Sequence, residues 1–133
     1  MTDPSTDEER FDRGRQLAQR LLAGAPAGRR MPKEMTRYTM AHLFGDVWQG
    51  EDLDLEQRSL ITCTVLVALG REPEQRLHFR GARNLGIDRE KLEALLIHVG
   101  HYAGWPVAVS ALRTLDAVWE EMDAQDAADK GGA

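Results

Sequence analysis

Ten consecutive residues without a charge, Leu60 to Leu69, constrain this chain more than any other stretch; only Thr62, Cys63 and Thr64 interrupt them with weak polarity. A run of that length is about half of what a bilayer span needs, so it belongs in a protein interior. Its Thr and Val content would suit a strand, but the chain holds no second strand-like run to pair with it. It therefore reads as a helix, apolar on every side and expected to be buried all round. Asp54 is its N-cap, with Gln57 three residues on completing a variant of the capping box. A short chain with such a helix is expected to be an obligate homo-oligomer.

The densest charge follows at once. Arg71, Glu72, Glu74, Arg76, His78 and Arg80 crowd the segment after Gly70, and a greasy support running into ionisable side chains is a common way of mounting a site on a rigid scaffold. Pro73 suits a first helical turn, and Gly86 suits the C′ position that ends the helix.

The remaining helices read from apolar spacing. Phe11, Gly14, Leu17, Ala18, Leu21 and Leu22 recur at three and four; Gly24-Ala25-Pro26-Ala27-Gly28 breaks the pattern. A second helix starts near Pro32, with Met35, Tyr38, Thr39, His42 and Leu43 as its inner stripe, and ends at Gly45. Asp88 caps a helix carrying Leu92, Leu95, Leu96, Val99 and Ala103, and Pro106 opens a last one with Val109, Leu112, Leu115, Val118 and Trp119. Residues 1–9 and 123–133 are expected to be mobile tails. The expectation is an all-α single domain over residues 1–133, a bundle of about six helices with short connections.

Charge and cysteine usage exclude several functions. A net charge of −5 over 133 residues disfavours nucleic acid as a partner. Cys63 is the single cysteine, so no internal disulfide or CxxC metal or redox pair exists. Thr2 to Arg10 is acidic and lacks an apolar core, so a secretory leader and a membrane partner are not expected and a cytoplasmic location is.

Taken together, RSLIT, ALGRE, LHFRGARNLGI and LLIHVGHYAGWPVAV, with ERFDRG and FGDVW upstream, resemble the carboxymuconolactone decarboxylase family within the alkylhydroperoxidase D-like fold. The resemblance covers nearly the whole chain between the tails. It implies a helical subunit assembling as a trimer or as a hexamer of paired trimers. The implied function is cofactor-free and metal-free decarboxylation of a carboxylated unsaturated lactone to an enol lactone, in aromatic (protocatechuate) catabolism. The chain departs from the true decarboxylases at Asn84-Leu85-Gly86, where they typically read NNG, and at Gly104-Trp105-Pro106-Val107-Ala108-Val109, where they typically read G-x-P-A-A-N.

Such a reaction needs cations for the carboxylates, a donor for the developing oxyanion and one proton. His78 lies one helical turn after Glu74 and shares its face. In the thiol peroxidases of this fold the position aligned with His78 is a histidine serving a cysteine pair, and Arg71 and Glu74 occupy the cysteine positions. His78, Glu74 and His98 are the catalytic candidates. Arg58, Arg71, Arg80, Tyr102, Trp105 and Trp48 are the candidate substrate contacts, with Asp46 and Trp48 as a lid. His101 reads as surface, His42 as an inner-face or interface residue, and Cys63 as an inert core residue. Glu74 would raise the His78 pKa and a nearby arginine would lower it, so sequence leaves the sign open. A thiol peroxidase, a relative acting on another small acid or lactone, and a non-catalytic binding module are the alternatives.

Overall fold

The N-terminal third is built on one close helix crossing. Helix α1 (Asp7–Leu21) starts from a capping box in which Thr6 and Glu9 bond each other's backbone N–H at 3.1 Å, and its Leu17, Ala18 and Leu21 are buried. Helix α2 (Lys33–Arg37) runs straight into a π-helical segment, Tyr38–Phe44. A Cβ on Gly14 would sit 1.7 Å from the Met40 carbonyl oxygen, and one on Gly45 2.2 Å from that of Arg10. Two bare backbones therefore touch, which only glycine permits.

This computed structural model describes residues 3–28 and 30–131. Among them the chain is all helical, and no helix is long and apolar enough to cross a membrane. After the π-helix come a 3₁₀ turn (Val47–Gln49), α3 (Leu55–Ala68), α4 (Glu72–Asn84), α5 (Arg89–Ala103) and α6 (Trp105–Gly131). One core joins α3 to α6 around Phe79, Leu92, Leu115 and Val118. A second joins α1 to Phe44 and Trp48.

Several boundaries follow the sequence signals. Asp54 and Gln57 form the expected capping box, at 2.7 and 2.9 Å. Asp88 accepts from the Lys91 amide at 2.9 Å. Gly86, with φ +90°, occupies the left-handed position after α4.

Two expectations are corrected. Helix α3 is not buried all round: Ser59, Cys63 and Val67 face inward, while Ile61, Val65 and Leu69 are 50%, 49% and 68% exposed. Met35, Tyr38, His42 and Leu43 are exposed rather than an inner stripe, and Ala41 and Phe44 are buried instead. The wider π turn shifts which residues share a face, so spacing by three and four fails there. In the exposed stretch before α1, Arg13 bonds Asp3 at 2.5 Å; residues 1–2 lie outside the described residues. The acidic C-terminal stretch continues α6 through Gly131, its Ala-rich sequence free of breakers. Arg83 holds it through Asp123 at 2.7 Å and Asp126 at 3.1 Å; residues 132–133 lie outside the described residues.

Candidate active site

Helix α4 opens with Glu72, Pro73 and Glu74, acidic groups at its positive end. Arg71, the residue before it, donates to Glu74 Oε1 at 2.7 Å, and this bond holds the Glu74 carboxyl below the usual carboxylate range. The other oxygen, Oε2, is shut off from solvent without a hydrogen-bond partner. One turn on, His78 Nδ1 is in the same condition. Two polar atoms of one helix face thus lack a hydrogen-bond partner, one in a Glu74 side chain that is 40% exposed and one in a half-buried His78 ring, a condition unusual outside functional sites.

Burial pushes the His78 imidazole below its ordinary value, and the Glu74 carboxylate pulls it only partly back. No arginine is needed for the sign: desolvation decides it. At neutral pH the pair is a neutral imidazole beside a carboxylate.

Two other elements meet His78, one at its ring and one at its backbone. Trp48, buried in the 3₁₀ turn, stacks on His78 with centroids 6.4 Å apart and planes 23° apart. From α3 the Cys63 thiol donates to the His78 carbonyl oxygen at 3.6 Å. Burial pushes that thiol up to about 12, so no thiolate is available near neutral pH. Cys63→Ala is accordingly expected to keep turnover within a few-fold; loss of activity in a folded, assembled variant would revive thiol chemistry.

The other candidates do not gather here. Arg80, two residues beyond His78 and so on the far side of α4, is 3% exposed; it donates to Gln125 Oε1 at 2.8 Å and lies 3.4 Å from Glu121. It ties α4 to α6. Arg58 donates to the carbonyl oxygens of Leu53 and Gly50, both at 3.1 Å, stapling the loop before α3. Trp48 packs beside His78, and Asp46 is engaged by Arg13 at 3.1 Å. On α5, His98 stacks on Tyr102 at 5.1 Å, and both are exposed. No hydrogen bond or ring contact joins them to His78 within this chain. His101, also exposed, has Nδ1 2.7 Å from the Ile97 carbonyl oxygen. Trp105, half exposed, lines an apolar cleft of about 250 Å³ with Leu96, Ile97, Ala108, Val109 and Leu112.

Sequence reading passed over Ser59. Its hydroxyl is fully buried one turn before Cys63 on the inward face of α3, where the Cys63 thiol is its hydrogen-bonding neighbour. Its place one turn before Cys63, at the start of the uncharged run, was the available signal.

Comparison with known proteins gives a consistent picture. Residues 33–117 match the model of the carboxymuconolactone decarboxylase family. The chain is 30% identical over 122 residues to 4-carboxymuconolactone decarboxylase of Acinetobacter baylyi, covering 87% of this chain and 91% of that protein. It is 32% identical over 88 residues to nitrosuccinic acid decarboxylase of Metarhizium robertsii, covering 66% of this chain and 58% of that protein. Peroxisomal protein 2 of Saccharomyces cerevisiae is 34% identical over 59 residues, 44% of this chain and 21% of that protein.

Proposed function

The chain belongs to the carboxymuconolactone decarboxylase family, and we propose that it is a cofactor-independent carboxy-lyase working at the Glu74–His78 pair. The observation that carries this reading is the pair of buried, unpartnered atoms, Glu74 Oε2 and His78 Nδ1. A site built for a polar ligand leaves such atoms open until the ligand arrives.

The proposed substrate is 4-carboxymuconolactone, a step in aromatic catabolism by a cytoplasmic enzyme. The bond from the ring carbon to its carboxylate breaks, and the electron pair spreads through the ring alkene into the lactone carbonyl. Protonation beside that carbonyl yields the enol lactone and carbon dioxide. The lactone is itself the electron sink. Arg71, bound to Glu74 through one amino group, keeps other donors for a substrate carboxylate. An anion bound beside the neutral His78 raises its pKa, so binding draws in the proton that His78 then delivers. Glu74 stabilises the imidazolium so formed.

The likeness to nitrosuccinic acid decarboxylase favours a second reading, a different small carboxylic acid. Nitrosuccinate has the same logic: loss of the carboxylate next to the nitro group leaves a nitronate. Incubation of the purified protein with each acid, following carbon dioxide release, is the test. Turnover of the lactone supports the first reading and turnover of nitrosuccinate alone the second. Release from neither by folded protein would overturn both.

We also propose that further copies of the chain cover Ile61, Val65 and Leu69 on α3, a contiguous apolar stripe too exposed for an isolated subunit. A trimer or hexamer is the expected assembly. Sedimentation should show no stable folded monomer at micromolar concentration; finding one would remove this claim.

A further inference from the structure

We propose that Trp48 is a positioning residue for His78, and that Arg58 holds Trp48 in place by stapling the turn that follows it. The inference rests on the reading of His78 as the proton-transfer group. An imidazole turns about a broad, roughly two-fold torsion unless something fixes it, and hydrogen bonds do this in most histidine sites. Here Nδ1 bonds nothing, Glu74 included. What meets the ring is the Trp48 indole, near parallel at 23°.

The indole has one ring partner, and two side chains tie the backbone of the turn that carries it. Phe44 packs against it at 5.7 Å, and the Gln49 side-chain amide donates to the Phe44 carbonyl oxygen at 3.0 Å, closing the turn. Arg58 reaches back from the first turn of α3 to the Gly50 and Leu53 carbonyl oxygens. It lies so close over Gly50 that a Cβ there would come 2.7 Å from its Nη2. Arg58 thus acts on the site through a loop and a tryptophan. Around the ring, Glu74 on α4 is the charged group that acts on it; Cys63 on α3 is a neutral thiol, and Trp48 carries no charge.

Titration of the His78 ring signals by NMR in the substrate-free protein, alongside kcat and KM, tests this. Trp48→Leu uncovers and frees the ring, so its midpoint should rise towards 6.5, its ordinary value. Turnover should fall by up to about 10²-fold, the scale of a misplaced catalytic group, with KM little changed. Trp48→Phe keeps a flat ring and should restore both. Arg58→Met lies outside both cores and should shift the midpoint the same way by less, which decides the matter if Trp48→Leu fails to fold. A purely structural role would lower thermal stability and leave the midpoint unmoved; that result, or a folded Trp48→Leu with wild-type midpoint and kcat, overturns the proposal. Should the wild-type protein decarboxylate none of the acids, the functional reading fails alone, and the titration still decides whether Trp48 positions His78.

Discussion

His78→Gln is expected to lower kcat by about 10²–10⁴-fold on the true substrate, the usual worth of general acid–base catalysis. Glutamine keeps a hydrogen-bonding side chain of similar reach but carries no exchangeable ring proton. Binding and assembly should be nearly unchanged, since Arg71 and the exposed stripe on α3 are untouched. The pH dependence follows from burial of the ring. For the free enzyme, kcat/KM should fall as pH rises through the His78 pKa, which lies below its ordinary 6.5. In the complex the bound anion raises that pKa, so the corresponding limb of kcat should lie at higher pH. Stability runs the other way. A buried histidine with a depressed pKa stabilises fully above about 6.5 and loses that contribution as pH falls; His78→Gln should remove this acid-side loss. A His78→Gln enzyme that turns over at nearly the wild-type rate, beside an inactive His98→Gln, would move the proton to α5.

The fold was legible where one signal acted alone. Asp54 with Gln57, Asp88 and Gly86 each fix a boundary by a local hydrogen bond or a backbone angle, and each is found where the spacing puts it. Legibility failed where backbone contact overrode side-chain pattern. Met35, Tyr38 and Leu43 fit a helical stripe, yet Gly14 and Gly45 let α1 approach so closely that Ala41 and Phe44 turn inward. The contacts of residues 123–131 were not readable from composition, because Arg83 and Arg80, which bond Asp123 and Gln125, lie some forty residues earlier. At the candidate site, Glu74 and His78 are one turn apart and therefore readable. The shielding of His78 was not, since Trp48 and Cys63 come from other elements. Residue type alone does not place Arg80 and Arg58: the first bonds Gln125 on α6 and the second the carbonyl oxygens of the loop before α3.

Gly14→Ala is expected to be among the most damaging single-methyl changes in the chain. The new Cβ would fall 1.7 Å from the Met40 carbonyl oxygen and 2.8 Å from both the Gly45 nitrogen and the Met40 carbonyl carbon. All three are backbone atoms, so no rotamer change relieves the contact, and helix α1 must move away from the π-helix. Gly14 itself lies inside α1 with no positive φ, where alanine would ordinarily gain up to about 1 kcal/mol of helix propensity. Overpacking a core usually costs about 1–3 kcal/mol. Here a bonded-range clash with main chain puts the cost at or above the top of that range. Separation also loosens Leu17 and Leu21 from Phe44 and Trp48, which share their core. Thermal unfolding should therefore fall by about 10 °C or more, at roughly 2–8 °C per kcal/mol for domains near this size. Because Trp48 backs His78, the surviving folded fraction should lose turnover as well. Gly28→Ala, with nothing within 4 Å of its Cβ, is the control and should stay within about 0.5 kcal/mol of wild type. Equal melting temperatures for the two variants would mean that the crossing at Gly14 is not the contact holding the N-terminal helices together.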